Sequence, residues 1–210
     1  MLQLVYHESL GLRLAPIEMI LLHLGVEYSN VGPQWAPNRV LGESTDGPCF
    51  APPALHDGDF AVSQFPAIMQ YVAGQHGMVP SDRKKAATAL QLLLDICDIS
   101  SEIFKEGKEK ESKAKFLDGG RLASWMAHLE KAVAKHGTGK GLMGEDLIAA
   151  DFVLVVLFQS LDFVFGAEAS AAATPAGLSA CRQFLMAQPF VGAHAATNPA
   201  PVLFESHKHA

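Results

Sequence analysis

Cysteine is scarce in this 210-residue chain, with Cys49, Cys97 and Cys181 the three present. They lie far apart, with no CxxC and no ligand-like spacing. An odd, sparse set argues against a disulfide scaffold and for a reducing compartment. Basic charge is thin as well. Sixteen Lys and Arg stand against 22 Asp and Glu, a net charge of −6, and the cations are scattered. Nothing resembles a basic nucleic-acid face. The nine histidines form no HExxH or similar cluster, and His207-Lys208-His209 is too short a run for a metal site. No segment reaches the ~18–20 apolar residues that a membrane span needs. The start, Met1-Leu2-Gln3-Leu4-Val5, enters a strand with neither a basic leader nor a long apolar run. These absences describe a soluble cytoplasmic protein with no nucleic acid, membrane or metal among its partners.

What is present is apolar material with clear periodicity. Hydrophobic residues make up 49% of the chain, enough for a sizeable core. Leu2–Tyr6 alternates as a strand does, and His7 to Leu12 reads as a turn. Pro16 suits a first helical turn, Ile17, Ile20, Leu21 and Leu24 share one helical face, and Gly25 ends the helix. Val26–Val31 reads as a second strand, so the unit is βαβ with parallel strands. Residues 32–50 read as loop, with a short helix around Trp35–Leu41. Pro53–Leu55 and Phe60–Val62 form a hairpin about Asp57-Gly58, and Gln64 to Ala73 is helical, with Ile68, Tyr71 and Val72 facing inward.

Composition changes near His76–Arg83, where Gly77 and Pro80 mark a linker. Beyond it only helical periodicity appears. Leu90, Leu93, Leu94 and Cys97 form one stripe, and Leu122, Trp125, Met126 and Leu129 another. Glu106–Lys115 is a charge run that reads as a solvated helix end or loop. Asp151–Phe165 reads as a central buried helix, the small residues of Ala167–Ala173 follow, and a last helix covers Leu178–Ala187. The expected division is residues 1–76, a linker at 77–84, and an all-helical part at 85–210.

The stretch Ala51-Pro52-Pro53-Ala54-Leu55-His56-Asp57-Gly58 carries the most information. A proline at the head of a buried strand has no N–H for the ladder. It is tolerated where the peptide before it is cis and the backbone faces a ligand. Gln64 then opens a helix at its positive end, where a carboxylate is welcome. Together these features suggest capture of a small anionic, peptide-like molecule.

This pattern resembles the cytosolic glutathione transferases over essentially the whole chain, closest to sigma-like members, with mu and alpha relatives next. The carrying residues are Tyr6 at the first strand's end, Arg13, Pro16-Ile17, Trp35 with Arg39 four residues on, Pro53-Ala54-Leu55 with Asp57-Gly58, Gln64-Phe65, and Ile148-Ala149-Ala150-Asp151 before the buried helix. The resemblance implies an α+β fold: a thioredoxin-like domain (βαβ–ββα, with a cis proline) followed by an all-α helical bundle, usually as a homodimer. It implies glutathione as co-substrate and a small hydrophobic electrophile as acceptor, with isomerase or peroxidase activity as variants. A non-catalytic ligand-binding or structural protein on the same fold is the alternative.

The implied roles follow residue by residue. Tyr6 would donate a hydrogen bond to the glutathione sulfur and favour the thiolate, with Arg13 adding positive potential. Ser9, in the turn after the first strand, is a rival for that role. Arg39 and Trp35 would hold the glycine carboxylate. Gln64 and Phe65 would meet the γ-glutamyl end, Pro52 and Pro53 the cysteinyl backbone, and Asp95 or Asp98 the ligand amine across a dimer interface. Leu10, Leu12, Phe104 and the segment around Phe204 would line the acceptor pocket. Asp151 reads as a structural carboxylate near a helix start.

Three departures stand out. Pro52 has no N–H to offer the ligand. Phe65 replaces the family's serine, and Ile148 its capping Ser or Thr. In addition, the turn between Tyr6 and Arg13 is one residue longer than in the sigma-like pattern.

Overall fold

The computed structural model describes residues 1–6, 11–31, 43–44, 47–49, 51–107, 109–136 and 139–198. The chain begins β1 (Leu2–Val5), α1 (Gly11–Leu24), β2 (Tyr28–Asn30), β3 (Glu43–Ser44), β4 (Gly47–Pro48), β5 (Ala54–Asp57), β6 (Phe60–Ser63) and α2 (Phe65–Gln75). Helices follow: α3 (Arg83–Glu106), α4 (Lys110–Asp118), α5 (Arg121–His136), α6 (Ala149–Phe165), α7 (Ala167–Ala172), α8 (Ala176–Met186) and α9 (Pro189–Thr197).

The main sheet has the order β2-β1-β5-β6. β1 runs parallel to β2, as a βαβ crossover requires, and antiparallel to β5, which pairs antiparallel with β6. Gly58, at φ 64°, takes the left-handed conformation that the β5–β6 turn needs. The Pro52–Pro53 peptide is cis, as the sequence suggests.

Helix α1 begins earlier than its proline indicates. Pro16 lies inside the helix and has no N–H for the carbonyl four residues back. The helix ends as expected. Gly25 at φ 66° bonds back to the Leu22 carbonyl, and the Val26 N–H reaches the Leu21 carbonyl at 3.0 Å. This double bond to the last turn satisfies carbonyls that would otherwise be orphaned.

The first stripe of the helical part needs correction. Leu90 and Leu94 are exposed, and α3 instead buries Leu92, Leu93, Ile96, Ile99 and Ile103 toward α6. Both sets have helical spacing, and only the partner helix chooses between them. In the second stripe Leu122, Met126 and Leu129 are buried while Trp125 is half-buried. On α2, Ile68 and Val72 are buried, but Tyr71 is only half so. Its hydroxyl donates to Asp57 at 2.8 Å and its ring stacks on Phe60.

Three segments hold more helix than expected. The charge run contains α4, held to the core by its buried Phe116. The small-residue run contains α7, and α9 follows the helix taken as the last. Within residues 32–50 the described part forms the β3–β4 hairpin rather than plain loop. The expected short helix at Trp35–Leu41 lies outside the described residues.

Helix α6 is the centre of the helical part, buried nearly all round. Its cap is half a capping box. Asp151, fully buried, accepts from the Ile148 N–H and the Leu142 N–H, both at 2.8 Å. Ile148 has no polar side chain to return the bond. One apolar core runs without a break from Leu4 and α1 through α3 and α6 to α9. Among the described residues, no helix is long and apolar enough to cross a membrane.

Candidate functional site

The register of the sheet builds the site. Ala54 pairs with Val5 on one side and with Ser63 on the other. All three strands are antiparallel across these pairs. One step further along each chain therefore sets Tyr6, Pro53 and Gln64 side by side at one end of the sheet, at a strand spacing of about 4.8 Å.

Each member of this row has a distinct character. Pro53 is buried, and Pro52 beside it is half-buried. Gln64 is exposed and sits just before α2 with φ 74° and ψ 116°. It is the one non-glycine with positive φ among the described residues, a conformation costing about 1–3 kcal/mol and found most often at ligand sites. This corrects the expectation that Gln64 is the first helical residue. Phe65 occupies that place, its ring buried and Pro66 next to it. The α2 N-terminus consequently opens beside the row, with its free N–H groups and positive dipole end.

Tyr6 is 93% buried. Burial raises its phenol above the usual 10, and the nearby Arg13 guanidinium opposes that rise. The net direction is upward, so the hydroxyl keeps its proton and serves as a donor. Arg13 is exposed on the first turn of α1. Its charge also reaches Cys97 on α3, whose thiol burial and the Asp98 carboxylate push up to about 11. The Arg13 charge is thus felt both by Tyr6 and by Cys97 of α3. Cys97, expected in the core stripe, is only half-buried. A thiol held that high is no nucleophile at neutral pH.

The two acids on α3 separate cleanly. Asp95 accepts from His128 Nε2 at 2.8 Å and from Gln91 Nε2 at 3.3 Å. It is committed within its own chain. Asp98 is exposed. Leu12 and Phe104 are half-buried at the edges of α1 and α3. Ser9, Leu10, Trp35, Arg39 and Phe204 lie outside the described residues.

A second polar group was missed altogether. Glu18, buried in α1, meets His194 Nε2 of α9 at 3.0 Å. Burial and the adjacent carboxylate push the Tyr28 phenol to about 12. The signal in the sequence was a lone acid among the apolar residues of Leu14–Leu24.

Among the described residues, no group of three His, Cys, Asp or Glu could hold a metal ion. The arrangement offers a hydrogen-bond donor, a cation and a helix N-terminus at one end of the sheet. That set suits a small anionic, peptide-like ligand.

Residues 96–197 match the family model described as "Glutathione S-transferase, C-terminal domain". No curated protein sequence matches the chain. Among solved structures, the chain is similar to a Pi-class glutathione S-transferase of Onchocerca volvulus. The TM-score is 0.77 at 18% identity, and the match covers 99% of each chain.

Proposed function

We propose that the protein is a glutathione transferase, because residues 96–197 match the glutathione S-transferase C-terminal domain model and the chain as a whole has the fold of a glutathione S-transferase. It binds glutathione in residues 1–76 and joins the sulfur to a small hydrophobic electrophile held against residues 85–210, across the linker at 77–84. On Tyr6, Arg13 and Pro16-Ile17 it groups with sigma-like members. The reading includes a cytoplasmic homodimer, with peroxidase or isomerase turnover as variants.

The roles follow from chemistry. A free thiol has a pKa of about 8.5 and is mostly protonated at neutral pH. A phenol donor and a guanidinium charge favour the thiolate. The sulfur then attacks the electrophile. The new C–S bond forms as the leaving group departs with its electron pair, and the thiol proton goes to water. Gln64 and the Phe65 N–H would hold the γ-glutamyl end, Pro52 and Pro53 the cysteinyl backbone, Trp35 and Arg39 the glycine carboxylate, and Asp98 of one protomer the ligand amine bound to its partner.

The observation that carries this reading is the row Tyr6–Pro53–Gln64 beside Arg13. Retention on immobilised glutathione and conjugation of a generic aryl halide test it. Binding with turnover supports the enzyme.

The alternative is a ligand-binding or structural protein on the same fold, and one observation favours it. Pro52 has no N–H, so a ligand carbonyl at that position is left without its donor. Absence of both retention and turnover would decide for this alternative.

A further inference from the structure

The far ends of α1 and α2 border a second concavity. His23 and Leu24 close α1, and His76 and Gly77 follow the last residue of α2. The starts of the same two helices hold Arg13 and follow Gln64, beside the Tyr6–Pro53–Gln64 row. At about 1.5 Å per residue, helices of 14 and 11 residues separate the two ends by roughly 15–20 Å. At the far end, linker residues 76–82, the turn at 143–148 and Phe184 of α8 enclose a cleft of about 960 Å³ with the end of α1. Clefts of this size at a junction between domains are common seats for small organic ligands. The floor is apolar: Leu24, Met78, Val79, Met143, Leu147 and Phe184 line it, each half-buried. A ligand covering them removes apolar surface from water. Methionines adapt to its shape, and an aromatic ring is a partner for a cation.

The rim of the cleft is acidic. Asp82, Glu145 and Asp146 stand there, and Lys85 is the one Lys or Arg among the described residues that line it. His23 also lines it, and burial pushes its imidazole below the usual value, so it adds no charge at neutral pH. The start of α3 offers an anion little. Its Lys84 and Lys85 N–H groups already donate to Asp82 Oδ1 at 3.0 and 2.9 Å. Glu145 pairs with Lys140 at 3.3 Å. Asp146 is exposed and has no hydrogen bond or ion pair among the described residues. We propose that this cleft binds an amphipathic organic cation, with an apolar body seated on Met78, Met143 and Phe184 and an ammonium group at Asp146 and Asp82. The site stands apart from the glutathione row and does not rest on the function proposed above.

Three probes with one ring and different head groups test the proposal: 1-naphthylmethylamine, 1-naphthylmethanol and 1-naphthylacetate. Isothermal titration of the full chain should show the amine binding about tenfold tighter than the acetate, with the alcohol between them. The double variant Asp82→Asn, Asp146→Asn removes two charges and keeps the α3 cap, because asparagine caps as aspartate does. It should weaken the amine about fivefold and leave the alcohol unchanged. Amide chemical shifts locate the probe. Those of residues 76–79 and 143–148 should move on adding the amine, while those of Tyr6, Gln64 and Phe65 stay. Shifts confined to Tyr6, Gln64 and Phe65 would overturn the proposal. So would an amine no tighter than the alcohol or the acetate, a double variant that binds the amine as the wild type does, or no binding of any probe at about 1 mM.

Discussion

Tyr6 and Gln64 flank Pro53 in one row, because Ala54 pairs with both Val5 and Ser63. The phenol and the start of α2 therefore come from chain positions 58 residues apart, yet stand two strand spacings from each other. A ligand lying along Pro53 would have its sulfur near the one and its amino-acid end near the other.

Tyr6→Phe removes the donor and keeps the ring. Conjugation at pH 6.5 should fall about 10- to 100-fold, the loss of a hydrogen bond to a charged group. The Tyr6 phenol is raised above 10, so the wild-type rate should show no break from its ionisation below pH 9. The single limb in the profile would be the bound thiol, and in Tyr6→Phe it should move up toward about 8.5. A pH–rate profile of both proteins checks this, and an unmoved limb would assign thiol activation elsewhere.

Pro52→Ala should improve the protein. The alanine N–H supplies the donor that proline lacks. KM for glutathione should fall about fivefold, near 1 kcal/mol, with little change in kcat. Isothermal titration with glutathione gives the same answer without an electrophile. A weaker complex would mean that the ligand does not use this position.

Asp98→Asn and Asp95→Asn should behave differently. Asp98 is exposed, whereas Asp95 is held by His128 and Gln91. Steady-state kinetics should give a several-fold higher KM for glutathione in the first variant. In the second the visible change should be in the α3–α5 contact, read as a lower melting temperature. Equal effects on KM would remove the distinction.

Asp151 makes stability depend on pH in an unusual direction. Burial holds its carboxyl at about 6, above the unfolded value of 3.8. An acid raised on folding contributes stability that is fully present below pH 3.8 and lost as pH rises through about 6. The span corresponds to roughly 3 kcal/mol. Asp151→Asn should abolish that component. Urea midpoints at pH 4.5, 5.5 and 7 would show the wild-type advantage over the variant shrinking as pH rises, and a constant difference would contradict it.

Gly141→Ala tests the same cap sterically. A Cβ there would stand 2.8 Å from Asp151 Oδ2, closer than such atoms approach. The carboxylate is locked by its two N–H donors and has no room to yield. A loss of about 1–3 kcal/mol is expected, measured by urea unfolding at pH 7.

The sequence alone determined the order of the small domain, the cis proline and the buried α6. These rest on short-range signals: period-two alternation, a turn glycine, and an apolar run too long for one face of a helix. It also points to Tyr6, Arg13 and Gln64 as candidates, because each stands in a local motif. Tertiary packing decided the rest. Leu90 and Leu92 are both apolar on one helix, and the position of α6 alone determines which is buried. Asp95 and Asp98 are equivalent until His128 arrives from a helix 33 residues away and takes one of them. Glu18 and His194 are 176 residues apart, and no local pattern could announce their meeting. A local motif is written by neighbouring residues, but a shared carboxylate belongs to whichever elements the core brings against it.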